Sequence, residues 1–339
     1  MEELKETYIE IKLGDIAYFQ KGFAFKSKDF ENVGRKIVKV SNLTDQSIDI
    51  NSCVCLAEKL AEKYERYSLN LDDIIITTVG SWPTNPASVV GKVIKVPKKA
   101  ETALLNQNAV RIRANEKITQ KYLYYVLKYE KFKNYIINTA QGSASQASIT
   151  QEDIKNYLIK LPSLETQEKI ASILSALDDK IEINNEMNKT LEETAQTLFK
   201  RWFIDFDFPN ENGEPYRSSG GKMVDSELGE IPEGWEIKEV ENIIEVKDGT
   251  HDSPKKSEAG YKLVTSKHLE KNKINFESAN VISEEDYIKI NKRSQVNQYD
   301  ILISMIGTIG NLYLVMEEKI NYVIKNIGLF KTSQNKEYY

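Results

Sequence analysis

The sequence predicts an α+β protein in which two repeated, mainly β domains are joined by one long helix of the coiled-coil type. Three observations predict this: a heptad pattern in the middle of the chain, two flanking segments that repeat each other, and short β-branched runs punctuated by Asp, Asn and Gly in both repeats. A chain of 339 residues with 40% hydrophobic and 29% charged residues has room for two globular domains and an additional helix.

The two β domains are predicted over residues 1–160 and 235–339. The repeat that defines them rests on four aligned pairs of segments: KIVKVSNL (36–43) with KLVTSKHL (262–269), DIIITTVG (73–80) with DILISMIG (300–307), GKVIKV (91–96) with GNLYLV (310–315), and NAVRI (108–112) with NIGLF (326–330). The first copy has a longer loop, over residues 81–90. Strands that persist while loops vary indicate one fold with two different loop surfaces.

The long helix is predicted over residues 161–208, followed by a linker over residues 209–234. Ser163 is a plausible N-cap, and about thirty residues at about 1.5 Å each give a rod of roughly 50 Å. The apolar seam follows alternating steps of four and three residues and consists of Ile170, Leu174, Leu177, Ile181, Asn184, Asn188, Leu191, Ala195, Leu198 and Trp202. The two asparagines either fix the register of a helix pair or mark where a partner binds; a plain packed helix is the alternative.

Charge is distributed unevenly along this chain. The formal net charge of -5 argues against a uniformly basic surface for nucleic acid. Two equivalent regions of the repeats nevertheless concentrate basic side chains: residues 20–39, which lie among the four phenylalanines Phe19, Phe23, Phe25 and Phe30, and residues 247–273, which include both histidines. Each is either a solvated loop or a surface that binds phosphates, and their equivalent positions favour the second interpretation.

The loops of both copies carry side chains that are able to contact base edges and phosphates. Because the loops differ between the copies, we expect two different targets. The candidate DNA-binding residues are Lys21, Phe23, Lys26, Lys39, Ser41, Asn42, Trp82, Thr84, Asn85, Gln107 and Asn108 in the first copy, and Thr250, His251, Lys255, Lys256, Lys267 and His268 in the second.

The sequence predicts no catalytic residue, metal site or cofactor of its own. Cys53 and Cys55 are the only cysteines, and two histidines do not make a zinc set. Neither a phosphate-binding Gly-rich loop nor an Asn/Asp-Pro-Pro-Tyr/Phe motif is present. Asp178 and Asp179 are interpreted as a solvated helix face. There is no signal peptide and no apolar run that would span a membrane, so we expect a cytoplasmic protein.

Four motifs resemble the specificity subunit of type I restriction-modification systems: QGSASQASITQEDI (141–154), LPSLETQEKIASILSALDDKI (161–181), LFKRWFIDF (198–206) and LGEIPEGW (228–235). The resemblance implies that each β domain is a target recognition domain for one half of a split DNA site. It implies a spacer helix that sets the unread gap and binds two methyltransferase subunits, through Ile170, Leu174, Leu177, Ile181, Asn184, Asn188, Leu191, Leu198, Trp202 and Phe203.

In that family, partner subunits carry the chemistry. The methyltransferase subunits methylate adenine with S-adenosylmethionine, and separate restriction subunits use ATP and magnesium to translocate and cut DNA. The resemblance therefore implies a non-catalytic, DNA-binding subunit that binds no cofactor itself.

The sequence departs from the family pattern at its end. Family members carry a second conserved helix after the second domain, whereas this sequence stops at Tyr339. We therefore expect an exposed seam that pairs with another chain or with a second copy, and a truncated, split or silent form of the subunit. A scaffold with two protein-binding modules is the alternative from another class. DNA binding would weaken steeply with salt, and the scaffold's partner binding would not.

Overall fold

The computed structural model describes residues 8–82, 90–143 and 146–334. The chain divides into two compact units, Met1–Ala195 and Gln196–Tyr339, which are described separately. The helices are α1 (Glu58–Ala61), α2 (Gln120–Lys128), α3 (Glu130–Thr139), α4 (Gln151–Lys155), α5 (Leu164–Phe199) and α6 (Glu284–Ser294). The helix predicted over residues 161–208 is α5, which continues into a π-helical turn, Lys200–Ile204.

The first unit contains a four-stranded sheet in the order β2-β10-β6-β8, a second sheet in the order β3-β5-β4-β9, a small sheet β11-β12-β7 and the pair β1-β13. The strands are β1 (Ile9–Lys12), β2 (Ala17–Lys21), β3 (Phe30–Glu31), β4 (Arg35–Val38), β5 (Cys55–Leu56), β6 (Ile74–Thr77), β7 (Val79–Gly80), β8 (Val93–Lys95), β9 (Leu104–Leu105), β10 (Ala109–Ala114), β11 (Gln141–Gly142), β12 (Ala147–Ser148) and β13 (Leu158–Leu161).

The second unit contains a four-stranded sheet in the order β16-β24-β21-β22, a sheet β20-β17-β23 and the pairs β18-β19 and β14-β15. Its strands are β14 (Met223–Ser226), β15 (Gly229–Pro232), β16 (Val246–Asp248), β17 (Tyr261–Thr265), β18 (Leu269–Glu270), β19 (Lys273–Ile274), β20 (Asn280–Ile282), β21 (Ile301–Ser304), β22 (Leu312–Leu314), β23 (Tyr322–Lys325) and β24 (Ile327–Phe330).

The two units share one topology, which confirms the predicted fold class. The order β2-β10-β6-β8 in the first unit corresponds strand by strand to β16-β24-β21-β22 in the second. The second sheet of each unit also contains an equivalent parallel pair, which is β4 with β9 in the first unit and β17 with β23 in the second. The aligned segments of the sequence therefore occupy equivalent strands, and the repeat is structural as well as sequential.

An ion pair that contains a buried carboxylate is repeated at the same place in both sheets. Asp73 lies just before β6, and its Oδ1 is 2.6 Å from Nε of Arg113 in β10. Asp300 lies just before β21 and pairs with Lys331, directly after β24. Each carboxylate also accepts a hydrogen bond of 2.7 Å from the backbone N–H three residues earlier. The pair fixes how the two central strands of each sheet meet.

The four-stranded sheets differ in how one face is covered. In the first unit this face carries Ile74 and Val93, which pack in one core with Leu127 of α2 and Ile136 of α3. On the equivalent face of the second unit, Ile301 and Ile303 are half-buried, and the β22 side chains are exposed. Leu312, which corresponds to Val93, is 51% exposed, whereas Val93 is 6% exposed.

This difference leads to a pair of matched substitutions. Leu312→Lys should change the free energy of unfolding by no more than about 0.5 kcal/mol, because the side chain already lies in solvent. Val93→Lys, at the equivalent position, should lower it by about 3 kcal/mol or more, because an unpaired charge enters an apolar core. Urea unfolding of both variants measures the two values, and equal effects would contradict the exposed face.

Candidate nucleic-acid interface

In the first unit, three segments that are distant in sequence meet at one end of the four-stranded sheet. The N–H of Phe23, in the loop after β2, donates to the Leu105 carbonyl (3.0 Å), and the N–H of Gln107 donates back to the Phe23 carbonyl (2.9 Å). The N–H of Asn106 donates to the carbonyl of Val38 at the end of β4 (2.9 Å). We call the surface formed by residues 22–26, 106–108 and the 3-10 turn Val40–Asn42 loop surface 1.

The approach of these segments requires glycine at the start of the loop. A Cβ on Gly22 would lie 1.9 Å from the carbonyl oxygen of Asn106, and a Cβ on Gly249, its equivalent in the second unit, would lie 2.7 Å from the carbonyl oxygen of Ile324. Both distances are shorter than any real Cβ contact. The two loops therefore leave their strands in the same way.

The second unit builds the equivalent surface with different side chains. The N–H of Thr250 donates to the Ile324 carbonyl (3.0 Å), and Nδ1 of His251 is 2.9 Å from Oδ1 of Asn326. The Ser266 hydroxyl, in the 3-10 turn Ser266–His268, donates to the Asn326 carbonyl (2.6 Å). Residues 249–253, 325–326 and 266–268 make up loop surface 2.

Most of the candidates predicted in the first copy lie on or beside loop surface 1. Lys21, Lys26, Ser41, Gln107 and Asn108 are exposed there. Phe23 is half-buried, with its ring centre 4.7 Å from that of Tyr64 and 5.2 Å from that of Tyr67. Lys39 is half-buried, and its Nζ lies 4.2 Å from the centre of the Phe30 ring. Basic and aromatic groups thus occur side by side on this surface.

Three predicted contact residues are buried, which corrects the sequence-based assignment. Asn42 and His268 cap equivalent 3-10 turns: the Lys39 N–H donates to Oδ1 of Asn42 (2.8 Å), and the Thr265 N–H donates to Nδ1 of His268 (2.9 Å). Thr250 is buried as well, and its hydroxyl oxygen accepts the Asp252 N–H (3.1 Å). Buried side chains that hold their own backbone are not available to base edges, so we remove all three from the candidates.

The remaining candidates are dispersed. Trp82 is anchored to the body of the first unit, because its indole N–H donates to the carbonyl of Ser143 (2.8 Å). Thr84 and Asn85 lie outside the described residues. In the second unit, His251 and Lys267 are exposed on loop surface 2, whereas Lys255 and Lys256 are exposed farther along the loop that leads to β17.

Sequence reasoning missed several residues of these surfaces. Lys325 places its ammonium group on the hydroxyl of Ser253 in loop surface 2. The alignment of Asn108 with Asn326 was a usable signal, because both residues have a positive φ (69° and 53°), a conformation that asparagine tolerates better than most residues. Pattern analysis included Asn108 among the candidates but not its equivalent Asn326, nor Lys325 and Ser253.

The buried residues of helix α5 and its predicted apolar seam lie on different faces of the helix. The predicted seam is largely exposed: Leu177 is 57% and Leu191 is 63% exposed, while Leu174 and Trp202 are half-buried. The buried positions are Gln167, Ala171 and Ser175, which form a different stripe along the helix. In the second unit, Phe203 contacts Trp235, with ring centres 6.3 Å apart.

Gln167 attaches α5 to the first unit through three backbone groups. Its Oε1 accepts the Thr119 N–H (3.0 Å), and its Nε2 donates to the carbonyls of Lys117 (3.2 Å) and Pro162 (3.0 Å). One helical turn beyond Ser175, Asp178 accepts a hydrogen bond from the Tyr125 hydroxyl (2.7 Å). Asp178 is therefore a structural partner of α2, which corrects the expectation of a merely solvated carboxylate.

Potential metal ligands and two thiols are present in the described part of the chain. No group of three or more His, Cys, Asp or Glu residues there is arranged to hold a metal ion. Cys53 and Cys55 are buried free thiols, and burial raises the pKa of Cys53 to about 11. Among the described helices, none combines the length and the apolar character needed to cross a membrane.

Comparison with known proteins gives a consistent result. A family model described as the type I restriction modification DNA specificity domain matches residues 5–193. The chain is 29% identical over 241 residues to the putative type I restriction enzyme MjaX specificity subunit of Methanocaldococcus jannaschii, which covers 71% of this chain and 53% of that protein. It is 34% identical over 183 residues to the MjaIX specificity subunit of the same organism, covering 53% of this chain and 40% of that protein.

The fold has a solved counterpart. The crystal structure of a type I restriction-modification system S subunit from M. genitalium superposes with a TM-score of 0.54 at 15% identity, covering 98% of this chain and 74% of that one. At this identity the likeness shows the fold alone. The chain spans about half the length of the curated relatives it matches, with 53% and 40% of their lengths covered.

The buried histidine cap predicts a pH dependence. Burial lowers the pKa of His268 from its ordinary value of 6.5, and protonated Nδ1 cannot accept the Thr265 N–H. The contribution of the cap to stability is therefore fully present above the unfolded-state pKa of about 6.5 and is lost as the pH falls through the lower folded-state pKa. His268→Asn, which copies the cap of the first unit, should reduce the loss of stability between pH 7 and pH 5. Urea unfolding at both pH values measures it, and an unchanged loss would contradict this role.

Proposed function

Because the chain belongs to the family of type I restriction-modification DNA specificity domains, we propose that it is a DNA-recognition subunit whose two β units each bind one half of a bipartite site. The observation that carries this proposal is the pair of equivalent loop surfaces. They are built on the same strands with the same hydrogen bonds, yet they present different side chains. A shared frame with divergent loops suits the recognition of two different short sequences.

The side chains on each surface divide into two roles. Lys21 and Lys26 on loop surface 1, and Lys267 on loop surface 2, are exposed cations suited to phosphate contacts that position each unit on the duplex. Gln107, Asn108 and His251 carry hydrogen-bonding groups suited to base edges in the major groove. Direct contacts to bases, rather than the overall charge, would then determine sequence preference.

Helix α5 supplies a spacer and a docking face in this proposal. Its 36 residues correspond to roughly 54 Å at about 1.5 Å per residue. The exposed seam has the a/d spacing that binds another helix, and we assign it to two methyltransferase subunits. Adenine methylation with S-adenosylmethionine, and ATP-dependent cleavage by restriction subunits, would be carried by those partners and not by this chain.

The seam predicts a pair of variants for co-purification with the methyltransferase subunit of the same system. Leu177→Lys combined with Leu191→Lys should abolish co-purification, because two charges replace apolar contacts in the helix interface. Glu182→Lys combined with Glu186→Lys is the control, since both positions are exposed and lie outside the seam. Loss in both variants would indicate a general charge effect and would contradict a specific docking seam.

The proposed function is tested by mapping adenine methylation in a genome with and without this chain and its methyltransferase partner. The expected result is a bipartite methylated site, and DNA binding that weakens steeply as salt increases. A stable complex that binds DNA without sequence preference would contradict the proposal. Partner binding that does not depend on DNA or salt would support the alternative of a protein-binding scaffold.

The spacer role predicts a separate change in that site. Insertion of one seven-residue heptad after Asn188 keeps the seam continuous and adds about 10 Å of helix. The unread gap should then lengthen by about three base pairs, at about 3.4 Å each, while both half-sites stay the same. Glu186→Gln, which leaves the helix length unchanged, is the control. Altered half-site sequences in the insertion variant would contradict the spacer role.

A further inference from the structure

Each unit contains a pocket at the same place in its fold. In the first unit the pocket lies between the loop after β2 and the helical segment that follows β5, and Phe25, Leu60 and Tyr64 line it. In the second unit a pocket lies between the loop after β16 and α6, and it is lined by Asp252, Ser253, Pro254, Asp286, Lys289 and Ile290. The loops after β2 and β16 also form part of loop surfaces 1 and 2.

Three lining positions of the first pocket correspond to lining positions of the second pocket. In the strands that precede the helical segments, Leu56 of β5 pairs with Arg35, and Ile282 of β20 pairs with Tyr261. Leu56 and Ile282 are therefore equivalent positions. Leu60 and Asp286 each lie four residues after these positions, so they are equivalent. Tyr64 and Ile290 each lie eight residues after them and are equivalent as well. Counting three residues from the equivalent glycines, Gly22 and Gly249, brings Phe25 to the place of Asp252. The frame is shared, and the lining differs in chemistry.

The first pocket is lined by aromatic rings, and its charged lining residues are Lys26, Lys28 and Asp29. The Phe25 ring centre lies 5.1 Å from that of Phe23 and 5.1 Å from that of Tyr64. The side chains of Lys26 and Lys28 are exposed beside it. The cavity measures about 190 Å³, which is below the roughly 300–1,000 Å³ of small-molecule sites. It therefore suits the edge of one base better than a nucleotide or a cofactor.

In the second pocket two of the three equivalent positions are acidic, Asp252 and Asp286, and Lys289 also lines the pocket. The Asp252 carboxylate is exposed, with Nζ of Lys289 3.5 Å from its Oδ2. The Asp286 carboxylate is half-buried, and its Oδ2 accepts a hydrogen bond from the Ser283 hydroxyl (3.0 Å). Ionised carboxylates only accept hydrogen bonds. This pocket therefore favours a base edge that presents a donor, in a cavity of about 350 Å³.

We propose that the two pockets determine base preference in the two half-sites: the first receives the 5-methyl group of a thymine, and the second receives the exocyclic amino group of a cytosine. In the major groove thymine alone presents a methyl group, which apolar side chains contact, and the cytosine amino group donates to Asp or Glu. Lys26 and Lys28 hold the phosphates beside the thymine. This inference rests on the proposed DNA-recognition function and adds the chemical groups that each unit selects.

The first pocket is tested with the full chain in complex with its methyltransferase subunit and duplexes that carry the mapped site. Each thymine in turn is replaced by deoxyuridine, which removes only the 5-methyl group. At one position binding should weaken about fourfold, the value of one buried methyl group. In Phe25→Ala this difference between thymine and uracil should disappear, whereas Phe25→Leu, which keeps an apolar lining, should retain it.

Tyr129→Ala is the matched control, because this tyrosine is an exposed aromatic residue of the same unit that does not line the pocket. It should leave the preference for thymine unchanged. Circular dichroism and thermal unfolding of the Phe25 variants separate lost recognition from lost folding. If no thymine replacement weakens binding, or if Phe25→Ala keeps the full difference, the assignment of the first pocket is overturned.

The second pocket is tested in the same complex by Asp252→Leu. One cytosine position in the other half-site should become degenerate in the methylation map, while the half-site that responds to Phe25 stays unchanged. Unchanged specificity in both half-sites would overturn the assignment of the second pocket. These failures leave a bipartite site intact, whereas failure of the proposed function removes the bipartite site from the wild-type protein itself.

Discussion

The buried carboxylate at the start of each central strand organises the rest of both units. Asp73 and Asp300 each join two neighbouring strands through an ion pair and also accept a backbone N–H. In the second unit both partners are buried, and removing one partner of such a pair typically costs about 3–5 kcal/mol, because a charge is left uncompensated. In the first unit Arg113 is 34% exposed, so solvent screening makes the loss smaller. In the first unit the pair lies at the opposite end of β10 from Asn108. The turn on loop surface 1 is therefore held by a rigid strand.

The two units keep this frame and vary what it presents. The loops after β2 and β16 are fixed at their bases by equivalent backbone hydrogen bonds. Farther along, the loops differ: Phe25 in the first unit stands where the second unit has Asp252. In the first unit the ion pair lies away from this loop, whereas Phe25 packs against a buried cluster that includes Ile37 and Leu56. A protein organised in this way can change its target through loop substitutions without losing its fold.

Helix α5 has two distinct faces, the apolar seam and the face that attaches it to the first unit. The sequence predicted only the seam. The heptad pattern predicted the apolar seam, and the seam is largely exposed. The attachment face consists of Gln167, Ala171 and Ser175, which do not form a hydrophobic stripe. Gln167 acts through hydrogen bonds to backbone groups of other segments, and such contacts have no periodic signal.

The sequence by itself determined the two repeated β units, the long helix and the basic, aromatic character of loop surface 1, because strand alternation, heptads and composition are local patterns. The tertiary structure alone decided which polar residues are free. Asn42 and His268 are polar loop residues in the sequence, yet both are buried as turn caps. The tertiary structure also decided that the rings of Phe25 and Tyr64 contact each other. It decided as well that Leu312 is exposed, whereas the equivalent Val93 is buried. Burial and pocket formation depend on contacts between residues far apart in the chain, which no local pattern encodes.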